Sequence, residues 1–76
     1  MALAFVLVNA DVGMDKEVVD ALKGINEVQE IWEVYGSYGI VAKVEAETVE
    51  KLKETVVSEI RRLNCVRSTL TMIVVK

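Results

Sequence analysis

Runs of apolar residues along the chain predict four strands. Every position from Leu3 to Val8 is apolar, with β-branched and aromatic side chains mixed in, which indicates a strand buried on both faces. Further strands are predicted over Val28 to Tyr35, Ile40 to Val44 and Val66 to Val75. The Gly-Ser-Tyr-Gly sequence between the second and third strands suits a hairpin, because glycine takes positive φ at low cost.

Two amphipathic segments between these strands predict helices. The first begins at a predicted N-cap, Asp15, and ends near Gly24. The second runs from Glu47 to Leu63, with acidic residues in its first turn and two arginines in its last, as the helix dipole favours. The apolar stripes are Val18, Leu22 and Ile25 in the first helix, and Val49, Leu52, Val56, Ile60 and Leu63 in the second.

The resulting order, β-α-β-β-α-β, predicts an α+β fold of the ferredoxin-like class. The chain is also weakly duplicated at half its length, since Ile25-Asn26-Glu27-Val28 aligns with Leu63-Asn64-Cys65-Val66. Two βαβ units with right-handed crossovers give a four-stranded antiparallel sheet in the order 4-1-3-2, with both helices on one face. A chain of 76 residues forms a single domain, residues 1–76.

The sheet face opposite the helices has no cover within the chain. The apolar fraction is 53%, above the ~45–50% typical of soluble domains. If Ala4, Val6 and Val8 face the helices, alternate residues of the first strand point outward, and the reverse parity exposes the other set. We therefore expect a homodimer packed sheet against sheet. Its predicted interface residues are Leu3, Phe5, Leu7, Trp32 and Val41.

Composition argues against several classes of function. Acidic residues outnumber basic ones 12 to 9, and no basic stripe indicates binding of nucleic acid. Histidine is absent and Cys65 is the one cysteine, so we expect no metal site, no cofactor, no catalytic residues and no enzyme. The apolar N-terminus lacks a basic region and is too short to span a bilayer, so a cytoplasmic protein without membrane contact is expected.

Two segments are candidates for ligand binding. The first is the turn Gly36, Ser37, Tyr38 and Gly39, whose backbone N–H groups a ligand carboxylate could approach closely. The second is the hydroxyl-rich start of the last strand. Its candidate residues are Ser68, Thr69 and Thr71. Each segment also has a purely structural interpretation. The first could be only a tight turn, and the second only β-forming residues on a partly solvent-exposed face of the sheet.

Together these segments resemble the effector-sensing (RAM) domain of the Lrp/AsnC family of transcriptional regulators. The likeness lies in VQEIWEVYGSYGIVAKVEA and NCVRSTLTMIVVK, where a Gly-x-Tyr turn and a Val-x-Ser-Thr-x-Thr strand match the family pattern. The resemblance implies sheet-to-sheet dimers and rings of dimers, often octamers. It also implies amino-acid effectors bound between dimers, near the turn and the last strand.

Full-length members of that family carry an N-terminal helix-turn-helix. Because this sequence starts at the first strand, it is expected to be a sensing domain that does not bind DNA directly and that joins full-length regulators in mixed oligomers. The family usually has aspartate where this chain has Gly39, so the resemblance implies weaker or altered effector binding.

Two alternatives remain open from the sequence. An ACT-like amino-acid-binding domain shares the topology and would bind its ligand near the first strand–helix turn, Asp11 to Met14. A purely structural assembly protein without a ligand is the second alternative, and glycine at position 39 is its strongest argument.

Overall fold

Four strands and two helices follow one another in the predicted β-α-β-β-α-β order. The structure is a computed structural model that describes residues 1–75. The strands are β1 (Ala2–Ala10), β2 (Val28–Glu33), β3 (Ile40–Ala46) and β4 (Val66–Ile73). The helices are α1 (Asp15–Lys23) and α2 (Val49–Thr55), and α2 continues directly into a π-helical segment, Val56–Ile60.

The sheet has the order β2-β3-β1-β4 and every neighbouring pair is antiparallel, which confirms the predicted topology. The register places Val6 of β1 between Ala42 of β3 and Thr71 of β4. β1 and β3 are therefore the central strands, in keeping with their near-continuous apolar sequences.

The core lies between one face of the sheet and the two helices. Alternate residues of β1 and β3 point into it, so the first strand has the parity in which Ala4, Val6 and Val8 face the helices. The buried apolar residues are Ala4, Val6, Val8, Val18, Leu22, Ile25, Ile40, Ala42, Val44, Ala46, Leu52, Val56 and Ile60.

The ends of several elements differ from the predictions. β1 and β3 are longer than predicted, whereas β2 ends at Glu33 and β4 at Ile73. Asp15 is the first residue of α1 and not its N-cap. The N-cap is Met14, because its carbonyl accepts the first helical hydrogen bond, from Val18 N–H at 3.1 Å.

The second helix is not the single α-helix predicted from Glu47 to Leu63. Thr48 caps its start, accepting a hydrogen bond from the N–H of Lys51 at 3.0 Å, and beyond Thr55 the backbone widens into π geometry. Buried residues spaced by four drift around an α-helix of 3.6 residues per turn. Leu52, Val56 and Ile60 are all buried at this spacing, and the wider turn over Val56–Ile60 offsets the drift.

The turn between β2 and β3 spans residues 34–39 and is longer than predicted. The N–H of Val34 donates to the carbonyl of Gly39 at 2.8 Å and closes it. Gly36 has a φ of 144°, as expected of a glycine turn, but Gly39 does not have positive φ. Within residues 1–75, no helix is long and apolar enough to cross a membrane.

Candidate functional site

The sheet face away from the helices, here called the bare face, is lined mainly by apolar side chains. One row crosses all four strands, because Trp32 pairs with Val41, Val41 with Leu7, and Leu7 with Leu70. The side chains at the two ends of this row are 43% exposed for Trp32 and 47% for Leu70. The apolar residues of the bare face are Leu3, Phe5, Leu7, Trp32, Val41, Leu70 and Met72.

The next row of the bare face is half apolar and half charged. Phe5 lies between Met72 on β4 and Lys43 on β3, and Lys43 pairs in turn with Glu30 on β2. The ammonium of Lys43 lies 3.8 Å from a carboxylate oxygen of Glu30. The apolar surface is therefore continuous on the β1–β4 side, while a charged corner marks the side of β2 and β3.

All five predicted interface residues lie on this one face. Sequence reasoning missed Leu70 and Met72, because the parity of the last strand was not determined. The sequence does contain a signal that could have identified them. Leu70 and Met72 alternate with Thr69 and Thr71, which places the apolar pair on the face opposite the two hydroxyls.

The glycine turn, residues 34–39, projects from the end of the sheet at the β2 edge. Tyr35 is fully exposed, whereas Tyr38 and Gly39 are half-buried. Beside the turn lies a groove of about 250 Å³, here called the turn groove. It is lined by Asp15, Glu33, Val34, Tyr35 and Gly39. Of the four predicted turn residues, the structure thus places only Gly39 on this groove.

The hydroxyl residues of β4 do not share one face. Thr69 and Thr71 pair with Val8 and Val6 and so lie on the helix side, whereas Ser68 pairs with Asn9 on the other side. The two threonines line an open groove of about 390 Å³ between β4 and the π-helical segment, here called the strand groove. It is lined by Lys53, Val56, Val57, Arg61, Thr69, Thr71 and Ile73.

The strand groove combines two cations with two hydroxyl groups. Within residues 1–75, neither Lys53 nor Arg61 has a carboxylate within 4.0 Å. Sequence reasoning did not single out either cation as a ligand-binding residue. A carboxylate ligand would find an opposite charge and hydrogen-bond donors together here.

One chain does not bring the two predicted ligand segments together. The glycine turn joins β2 and β3, whereas Thr69 and Thr71 are on β4 at the far edge. Ile40, directly after the turn, and Thr69 both pair with Val8, so two strand spacings, about 10 Å, separate the end of the turn from Thr69. Segments from different copies of the chain could come closer together than this.

An exposed ion pair lies on α1, away from both grooves. Lys16 donates a hydrogen bond to Asp20 at 2.9 Å, which lowers the pKa of Asp20 and raises the pKa of Lys16. The half-buried Cys65 is a free thiol. Residues 1–75 contain no group of three or more histidine, cysteine, aspartate or glutamate side chains placed to hold a metal ion.

A comparison with models of protein families identifies the family of this chain. A model of the Lrp/AsnC ligand-binding domain matches residues 3–76. The chain belongs to the Lrp/AsnC family. This membership favours the Lrp/AsnC interpretation over the ACT-like one, and it agrees with the ferredoxin-like fold seen in the structure.

Solved structures extend the likeness of this Lrp/AsnC domain over its whole length. A protein of Thermus thermophilus has a TM-score of 0.95 at 30% identity, covering 100% of this chain and 95% of that one. The feast or famine regulatory protein of M. tuberculosis, complexed with L-methionine, has a TM-score of 0.81 at 25% identity, covering 100% of this chain and 51% of the regulator. The second protein is thus a longer regulator that contains this fold.

Curated relatives place a similar sequence inside an enzyme. Homocitrate synthase of Saccharolobus solfataricus is 41% identical to the Lrp/AsnC domain over 59 residues, which are 78% of this chain. The matched region is only 13% of the synthase. The likeness therefore concerns one segment of that enzyme.

Proposed function

We propose that this Lrp/AsnC domain binds a small amino acid and couples the binding to its own assembly in transcriptional regulation. The observation that carries the proposal is the match to the family's ligand-binding domain over residues 3–76. The complex of a similar regulator with L-methionine supports an amino acid as the class of effector.

Assembly is proposed to begin with a homodimer through the bare face. Burial of apolar surface contributes ~25 cal/mol per Å², so covering a few hundred Å² contributes several kcal/mol. That is comparable with the ~3–5 kcal/mol that a core of this size supplies by itself. Large exposed side chains in the face, including Trp32, Leu70 and Met72, supply this area.

The effector is proposed to bind between dimers in a ring, with the octamer as the expected size. The glycine turn of one copy would meet the strand groove of another, which overcomes the separation of these segments within a chain. In the strand groove, Lys53 and Arg61 would attract the effector's carboxylate, and Thr69 and Thr71 would donate hydrogen bonds to it. Binding across copies shifts the assembly equilibrium by the difference in the effector's affinity for the two assemblies.

Action on transcription is proposed to be indirect. The two helices of the described residues 1–75 both cover the sheet, and neither forms a helix-turn-helix unit. A mixed oligomer with a full-length Lrp/AsnC regulator would let the domain change that regulator's assembly without touching DNA. We propose that this occurs in the cytoplasm, where the free thiol of Cys65 would stay reduced.

Calorimetric titration with the twenty standard amino acids, combined with light scattering at each end point, tests this function. We expect heat with one or a few amino acids and a change in the distribution of dimers and larger rings. If no amino acid gives heat and the assembly stays unchanged, the domain is a structural assembly protein and the sensing proposal fails.

A second candidate is regulation of a metabolic enzyme instead of a transcription factor. It is favoured by the identity of 41% to a segment of homocitrate synthase, which exceeds the 25% to the methionine-bound regulator. Cross-linking in the native cell followed by purification of the tagged chain separates the two candidates. A biosynthetic enzyme as the main cross-linked partner supports the second candidate, and a helix-turn-helix regulator supports the first.

A further inference from the structure

We propose that Asp15 is a specificity-determining residue of the effector site, and that its carboxylate holds the effector's ammonium group at the glycine turn. This inference rests on the proposed function, since it assumes an amino-acid effector beside the turn. It assigns the role to a residue that is distant from the turn in sequence and adjacent to it in the fold.

The position of Asp15 relative to Gly39 is the first argument. A β-carbon built on Gly39 would lie 3.5 Å from Oδ2 of Asp15, which is an ordinary van der Waals distance. The carboxylate of Asp15 therefore lies next to the position of a β-carbon at residue 39, beside the same groove. The aspartate expected at position 39 is absent from the sequence, but a carboxylate is present at that place in the fold.

The carboxylate of Asp15 is also free to bind a ligand. It does not cap α1, because Met14 is the N-cap and α1 has no side-chain cap hydrogen bond. Within residues 1–75, no lysine or arginine nitrogen lies within 4.0 Å of it. The neighbouring cation, Lys16, is engaged with Asp20 instead.

The turn groove has the chemistry that an ammonium group requires. Asp15 and Glu33 supply two carboxylates, while Val34 and Tyr35 supply apolar surface beside them. Because Gly39 has no side chain, the space in front of Asp15 stays open. An ammonium placed there would donate charge-assisted hydrogen bonds to Asp15, and the effector's other end would extend away from the turn.

The test compares the wild-type chain with three variants by calorimetric titration. The probes are the twenty standard amino acids and, for the one that binds most tightly, its analogue with hydrogen in place of the amino group. Asp15→Asn removes the charge and keeps the shape. Glu17→Gln is the matched control, because it removes the same charge from the same helix, does not line the groove and leaves Lys16 paired with Asp20. The double variant Asp15→Asn with Gly39→Asp returns a carboxylate to the groove from the other element.

We expect Asp15→Asn to weaken binding of the tightest amino acid about ten- to a hundredfold, and to leave binding of its deaminated analogue unchanged. The control should bind like the wild type, and the double variant should regain most of the lost affinity. Circular dichroism should show the same folded signal for all variants, so a loss of binding would not reflect unfolding.

Two other outcomes are informative in different ways. If the wild type binds an amino acid and Asp15→Asn binds it equally well, the role of Asp15 is refuted while the proposed function stands. If the wild type binds none of the amino acids, the proposed function fails and the inference fails with it.

Discussion

The two faces of the sheet are built from similar residues but have different surroundings. On the helix side, Val6, Ala42 and Val44 are fully buried. On the bare face, Trp32 and Leu70 stay 43% and 47% exposed, although they lie in an equally apolar row. The proposed homodimer through the bare face would account for this difference, because it would cover the second apolar side of the strands.

The connections explain why the two faces differ. Crossovers between parallel strands are almost always right-handed, which places both helices of two such units on the same side of the sheet. The chain has no third helix within residues 1–75 to cover the other side. The comparison thus predicts that substitutions on the helix side change folding, whereas substitutions on the bare face change association.

The largest effect is expected from the helix side. Leu22→Ala removes a fully buried side chain of α1 and should lower the free energy of unfolding by about 2–5 kcal/mol. A domain with only ~3–5 kcal/mol from its core would then be largely unfolded as a monomer. Urea denaturation followed by circular dichroism measures the change. Val12→Ala is the control, because Val12 is 93% exposed and its truncation should have little effect.

The next effect concerns association through the bare face. Leu7→Asp places a carboxylate at the centre of the apolar row between Val41 and Leu70, where a dimer would have to bury it unpaired. We expect the dimer dissociation constant to rise at least about a hundredfold while the circular dichroism spectrum stays that of a folded chain. Sedimentation velocity over a concentration series measures the constant.

Val12→Asp is the matched control for that experiment, since it introduces the same charge at an exposed apolar residue away from the sheet. It should leave the dimer intact. A Leu7→Asp chain that still sediments as a dimer would show that the bare face is not the interface, and the comparison of the two faces would lose its explanation.

A smaller and sharper effect comes from two adjacent residues of β4 that lie on opposite faces. Thr71→Val removes a hydroxyl from the strand groove and should weaken effector binding about three- to tenfold without changing dimerisation. Met72→Lys adds a charge to the bare face and should weaken dimerisation. Calorimetry and sedimentation on both variants measure the two effects. If both variants change the same quantity, the two faces do not have separate roles.

The topology could be predicted from the sequence, because it follows from the order of the strands and helices, and their apolar patterns are clear. Continuous apolar sequence marked β1 as a central strand, and the spacing of Val18 and Leu22 marked the buried side of α1. The errors of the prediction concern the local geometry of the elements, such as where a helix ends and how tightly it winds. Val56 and Ile60 are buried in the π-helical segment, as their spacing predicts for an α-helix, so the apolar pattern does not distinguish the two geometries.

The candidate site was less accessible from the sequence, because its residues come from separate elements. Asp15 and Gly39 are far apart along the chain and adjacent in the fold, and only the packing of α1 beside the turn reveals this. The parity of β4 likewise decided that Thr71 lies in a groove and Met72 on the bare face. The first depends on how a helix packs beside a turn, and the second on which face each residue of an edge strand takes.

The smallest effect is expected outside both faces, on the solvent side of α1. The hydrogen bond from Lys16 holds the pKa of Asp20 below its ordinary value of 3.8, so the pair stabilises the fold above that pH and ceases to do so as the pH falls through the lowered pKa. Asp20→Asn should therefore lower the melting temperature slightly near pH 7, and this difference from the wild type should vanish at strongly acidic pH. Because both side chains are exposed, salt should reduce the difference as well. Thermal unfolding across a pH series measures this difference in melting temperature.

Sedimentation at pH 7 tests whether the Asp20→Asn variant still forms the dimer. The variant should remain dimeric; dissociation on losing this carboxylate would place part of the interface on the helix side and would overturn the division of roles between the two faces.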